Sequence, residues 1–114
     1  MERRKYQRLE SNLPVHYRNL RKIGESPIGS LTKDISAGGI RFKTGEFISL
    51  ACRLVVEIQL PALAKPIKAI SKVTWIRKSS SGDQYELGNQ FLEITKEDKA
   101  LISDFVDRSL GSSF

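Results

Sequence analysis

The dominant pattern along the chain is a two-residue alternation of apolar and polar positions, the period of a β-strand with one buried face. Leu13, Val15 and Tyr17 alternate with Pro14, His16 and Arg18. The run Ile28 to Ile35 is β-compatible, and Ile40 and Phe42 alternate with Arg41 and Lys43. Leu54, Val56, Ile58 and Leu60 alternate with Val55, Glu57 and Gln59, and Pro61 ends that run. Ile67 to Arg77 reads as a long strand with Val73 and Trp75 on one face. Its alternation slips near Ile70 and Ser71, the mark of a β-bulge. Tyr85, Leu87, Asn89 and Phe91 form one face of a last strand.

Turn chemistry separates these runs. Gly24 to Pro27, Ser36 to Gly39, Pro61 to Pro66 and Ser79 to Asp83 are rich in Gly, Pro, Ser and Asp. A hairpin joins the second and third runs, with its bend at Ser36 to Gly39. After residue 93 the period changes. Thr95 with Asp98 three residues on has the form of a helix N-terminal cap. Leu101, Ile102, Phe105 and Val106 then recur at helical spacing, and Gly111 is the stop. So short an amphipathic helix needs a sheet to pack on.

Six strands in 114 residues invite closure, since a barrel leaves no edge to template aggregation. The expected fold is mainly β: a small six-stranded antiparallel β-barrel with a C-terminal α-helix and a flexible basic N-terminal arm. We assign one domain over residues 1–114, with the arm at 1–12, the barrel at 13–93 and the helix at 95–110.

Charge changes this picture in one place. The net charge is +6, and residues 1–22 hold seven Lys or Arg and two Glu, hence +5 of it. A local excess points to an anionic partner at one site rather than to a uniformly basic surface. His16 is a lone histidine without metal-ligand company. Cys52 is the single cysteine, so no internal disulfide forms, which favours a reducing, cytoplasmic setting. The N-terminal charges are not followed by an apolar signal-peptide stretch, and no apolar run reaches the roughly 20 residues that span a bilayer. No arrangement of carboxylates, nucleophiles or metal ligands has the form of catalytic machinery, so we expect no enzyme and no metal.

Two short segments carry candidate chemistry. Arg4-Lys5-Tyr6-Gln7-Arg8 is an R-x-x-x-R within the arm, preceded by Arg3. Its guanidiniums suit phosphate oxygens and the acceptor edge of guanine. Asp34-Ile35-Ser36-Ala37-Gly38-Gly39 is a D-x-S-x-G-G at the hairpin bend. It offers a carboxylate for the N1–H and N2 amine of guanine, a hydroxyl, and two glycines. Gly38 and Gly39 are expected to take positive φ and to leave room for a ribose or base. Asp34 and Ser36 also suit a purely structural turn.

These segments, with L-P-V-H-Y-R (Leu13 to Arg18), V-T-W-I-R (Val73 to Arg77) and E-L-G-N-Q-F (Glu86 to Phe91), resemble a PilZ domain over nearly the whole chain. The resemblance implies a receptor for the bacterial second messenger cyclic di-GMP. It implies that the arm wraps over the ligand while the D-x-S-x-x-G turn holds it from the barrel side. It also links the residue before the R-x-x-x-R, here Arg3, to ligand stoichiometry, and so allows a self-stacked pair of nucleotides. The candidate binding set is Arg3, Arg4, Arg8, Asp34, Ser36, Gly38, Gly39 and Trp75. Trp75 also reads as core, like Phe42, Phe91 and Tyr17.

Cyclic di-GMP is then a ligand, not a cofactor. The expected partners are that dinucleotide and an effector protein of unknown identity, with no membrane insertion. A homodimer through the helix stripe is allowed. Two alternatives stand beside this reading. One is a PilZ-like protein–protein interaction module that needs no nucleotide. The other is a small basic barrel that binds nucleic acid, which would need basic residues and exposed aromatics along its strands. The charge excess sits in the arm instead, which disfavours it.

Overall fold

A computed structural model describes residues 6–80 and 82–111; Arg3 and Arg4 lie outside them. Seven strands and one helix follow in order: β1 (Leu9–Glu10), β2 (Pro14–Asn19), β3 (Ile28–Ser36), β4 (Gly39–Thr44), β5 (Arg53–Ile58), β6 (Ile67–Lys78), β7 (Tyr85–Glu93) and α1 (Lys96–Gly111). The antiparallel order β3-β2-β5-β6-β7-β4 closes through a β3–β4 pairing, giving a six-stranded barrel. The short β1 lies outside this ring and pairs with β3, Leu9 opposite Ile35 and Glu10 opposite Asp34. The second half of the arm is therefore docked on the barrel, with Leu9 packed against the core.

Inward-facing residues fill the barrel as the alternation predicts. Val15, Tyr17, Phe42, Leu54, Val56, Ile58, Val73 and Leu87 are all buried. Tyr17 and Phe42 pack ring to ring at 4.9 Å between centroids. Ser71 and Asn89 are buried polar residues joined inside by a 3.2 Å hydrogen bond that satisfies the buried hydroxyl.

Three register irregularities decide what faces outward. Ile70 pairs with Glu93 and Ser71 with Phe91, so the slip expected near Ile70 is real, with Leu92 as the extra residue on β7. Val73 pairs with Asn89 and Trp75 with Gly88, which leaves Thr74 as an extra residue on β6. That bulge corrects the placing of Val73 and Trp75 on one face. Val73 points inward, and Trp75 turns to the outer surface and stays half-buried there. On β3, Thr32 pairs with Phe42 and Asp34 with Arg41, so Lys33 is the extra residue. Thr32 is an inward position; without the bulge Asp34 would also point in. The bulge sends the Asp34 carboxylate outward, beside Arg41.

Helix α1 begins as its cap predicts, with the Asp98 N–H donating to Thr95 Oγ1 at 3.0 Å. It packs against β3 and β1 through the buried Ile102 and Val106. Leu101, expected in the same stripe, is instead 40% exposed, because Ile102 and Val106 define the inner face and Leu101 lies to its side.

Candidate functional site

The β3–β4 hairpin brings the D-x-S-x-G-G residues together as a tight bend, with Ser36 paired to Gly39. Ser36 is spent on the turn itself. Its Oγ accepts the Gly38 N–H at 3.1 Å and donates to the Gly39 carbonyl at 3.4 Å. Neither Gly38 nor Gly39 has positive φ, which corrects the reason for their presence. Both are needed for space. A Cβ on Gly38 would stand 2.6 Å from the Tyr6 ring, and one on Gly39 would stand 2.0 Å from the Asn89 backbone carbonyl oxygen.

Tyr6, which the candidate set does not include, belongs to the same patch. It lies between the two arginines of R-x-x-x-R and seats its ring on Gly38. Lys99 of α1 donates to its hydroxyl at 2.8 Å, and the ammonium stands 4.7 Å from the ring centroid, a cation–π distance. Tyr6 thus ties the arm to both the turn and the helix. A recess of about 380 Å³ opens beside it, lined by Ala37, Gly38, Gln90, Phe91 and Lys96 among others.

Arg8 and Asp34, 26 residues apart in sequence, meet at 3.4 Å. The two motifs therefore converge on one patch. Their environments differ: the Arg8 side chain is 40% exposed and that of Asp34 only 9%. Asp34 is fixed chiefly by a second partner, Arg41, at 2.9 Å. Arg41 continues to Glu86 at 3.4 Å, and Glu86 to Arg77 at 2.6 Å. Charges of alternating sign so run across the outer face of β3, β4, β7 and β6. Cross-strand register builds this row, since Asp34 faces Arg41, Arg41 faces Gly88, Gly88 faces Trp75, and Glu86 faces Arg77. The Trp75 indole fills the space a Gly88 Cβ would need, with its Nε1 2.1 Å from that point. The Arg77 guanidinium lies 5.6 Å from the Trp75 ring centroid.

Of the candidate set, the fold groups Arg8, Asp34, Ser36, Gly38 and Gly39 around the bend and puts Trp75 on the same outer row. Arg41, Glu86 and Arg77 were missed. The available signal was Arg41 at an outward position of β4, but its ionic partners depend on register. Cys52 stands away from this patch, beside Asn19, whose amide donates to its sulfur at 3.3 Å. Burial pushes its thiol pKa up, against the pull of Arg21 and Lys22, which argues against a nucleophilic role. Among the described residues, no helix is long and apolar enough to cross a membrane, and no three His, Cys, Asp or Glu side chains converge on a metal-sized site.

No curated protein sequence matches the chain, but solved structures do. Bacillus subtilis MotI/DgrA, an inhibitor of motility, superposes with a TM-score of 0.84 at 22% identity, covering 99% of this chain and 54% of its own. The PilZ domain of Escherichia coli YcgR with c-di-GMP gives 0.69 at 13% identity, covering 99% of this chain and all of its own. The K. pneumonia MrkH–c-di-GMP complex gives 0.72 at 19% identity, covering 99% and 55%. The chain thus spans about half the length of MotI/DgrA and MrkH. At these identities the likeness is one of fold. The family follows from the match of residues 2–108 to the PilZ domain, and on that match the chain belongs to the PilZ domain family.

Proposed function

We propose that this chain is a cyclic di-GMP receptor that signals by a change of surface. The observation that carries the reading is the meeting of Arg8 and Asp34 at 3.4 Å, which puts an arm guanidinium and a turn carboxylate at one place on the barrel. Solved structures of YcgR and MrkH hold c-di-GMP, which supports the same reading. The exposed Arg8, with Arg4, takes phosphate oxygens or the guanine O6 and N7 edge. The buried Asp34 accepts from guanine N1–H and the N2 amine. Arg3 adds positive charge for a second, stacked nucleotide. The Trp75 ring borders the site, and Ser36, Gly38 and Gly39 hold its floor in shape. When ligand takes over Arg8, the arm's contacts at Tyr6 with Gly38 and Lys99 change as well, and an effector protein in the cytoplasm reads the altered surface. The receptor performs no chemistry on its ligand.

Calorimetric titration of the purified chain with c-di-GMP, against GTP and cyclic di-AMP as controls, tests this. A charge-assisted hydrogen bond is worth roughly 1.5–3 kcal/mol, so Arg8→Ala and Asp34→Ala should each weaken binding by about 10- to 150-fold with the barrel still folded. Unchanged affinity in both variants would refute the assignment.

A further inference from the structure

We infer that Glu86 is a positioning residue for guanine recognition: it holds Arg41, and through Arg41 it aims the Asp34 carboxylate. The inference rests on the reading above that Asp34 accepts from guanine. Glu86 is itself 8% exposed and sits on β7, where a single oxygen, Oε1, accepts from both Arg41 Nη1 and Arg77 Nη2. Those two guanidiniums lead to different parts of the site. Arg41 Nη2 holds Asp34 Oδ2 at 2.9 Å, and Arg77 stands beside the Trp75 ring.

The division of labour at Asp34 is the central point. Its Oδ2 is held by Arg41, whose side chain is only 26% exposed and whose buried Nε has no hydrogen-bond partner among the described residues. Among the described residues its Oδ1 has the longer contact to the exposed Arg8, at 3.4 Å. A planar carboxylate held at one oxygen has its plane and direction fixed. The other oxygen is then free to exchange Arg8 for a ligand donor without rebuilding the site. Arg41 can do this only while its second nitrogen is anchored, and Glu86 is that anchor. Without it, Arg41 would swing toward Asp34 alone and compete with the ligand for both oxygens.

Simple charge counting makes the opposite prediction, which makes the inference testable. Glu86→Gln keeps the side chain's size and removes one negative charge beside a site for a dianion. Coulomb attraction alone would tighten binding of any such ligand equally. Positioning predicts weaker binding, confined to the guanine donor edge.

The experiment titrates the full chain with cyclic di-GMP and with cyclic di-inosine monophosphate, which lacks the N2 amine. The unsubstituted protein should prefer the guanine ligand by about tenfold or more, the worth of one charged hydrogen bond. In Glu86→Gln, cyclic di-GMP affinity should fall by about ten times more than that of the inosine ligand, which keeps N1–H but has no amine to lose, so that the preference collapses toward one. Glu86→Asp, which retains the carboxylate, should recover part of the preference. Arg41→Lys, which loses the fork, should lose it as Glu86→Gln does. If Glu86→Gln does not fold, these last two variants decide the question by the same ratio. A folded Glu86→Gln with the original preference, or with tighter cyclic di-GMP binding, overturns the inference and leaves the receptor reading intact. Failure of the unsubstituted protein to bind cyclic di-GMP overturns both.

Discussion

Tyr17 places its phenol inside the barrel, where Thr44 Oγ1 is its hydrogen-bond partner. Its pKa is raised, first because burial penalises the phenolate; the Thr44 bond lowers it somewhat, and the charge of Glu46 raises it again. In the unfolded chain the phenol ionises near pH 10. A folded pKa above that value means the native state keeps its proton where the unfolded state has lost it. The resulting stability is fully present below about pH 10 and is lost as pH rises through the folded value. Tyr17→Phe should cost about 1 kcal/mol at neutral pH, for one buried hydrogen bond. That deficit should shrink above pH 10, where only the parent protein has a phenol to ionise at this position. Urea unfolding at pH 8 and pH 11 measures it, and a deficit equal at both would show that Tyr17 does not couple folding to pH. Residue identity made this interior position legible, since Tyr17 falls in phase with Leu13 and Val15. Arg41 was legible only as an outward residue, because nothing local in sequence names Asp34 or Glu86 as its partners.

At the level of elements, two adjacent glycines separate the hairpin's own stability from the docking of the arm. A Cβ at Gly39 meets backbone, the Asn89 carbonyl at 2.0 Å, and β4 cannot yield there without losing its pairing to β7. The atoms nearest a Cβ at Gly38 all belong to the Tyr6 side chain, which can swing away. Gly39→Ala should therefore destabilise the barrel by several kcal/mol, on the order of the larger point-mutant effects. Gly38→Ala should leave thermal stability within about 1 kcal/mol of the parent while freeing Tyr6 from the turn. Thermal melts give the first comparison, and hydrogen exchange at residues 6–10 gives the second. Equal melting of the two variants would contradict the geometry. The sequence placed the strands, the hairpin bend and the helix cap well, because each has a period or a cap residue of its own. Two of the three bulges were hidden. An extra residue such as Lys33 or Thr74 is polar and mid-strand, and its effect is a change of phase that only the pairing partner reveals. The phase change at Lys33 is what turns Asp34 outward, so part of the candidate site was written in register rather than in motif.

At the scale of the whole molecule, the charge distribution and the closed barrel describe one arrangement. The second half of the basic leader lies beside an outer row of paired charges, where Arg8 meets Asp34, and is pinned by Tyr6 and by the two-residue β1. The leader's charge excess was plain in the sequence, whereas β1 was not, being too short for a periodic signal. Ligand that bridges leader and barrel binds only the folded state, so it must stabilise that state by mass action. At a free concentration of a hundred times its dissociation constant, cyclic di-GMP should add about 2.7 kcal/mol. For a domain of this size that corresponds to a rise in melting temperature of roughly 10 °C. Asp34→Ala, with its much weaker binding, should rise far less at the same ligand concentration, and GTP should shift neither protein. Scanning calorimetry with and without ligand makes the measurement. A parent protein that melts at the same temperature in saturating cyclic di-GMP would mean that the leader and the barrel share no dinucleotide, whatever their charges.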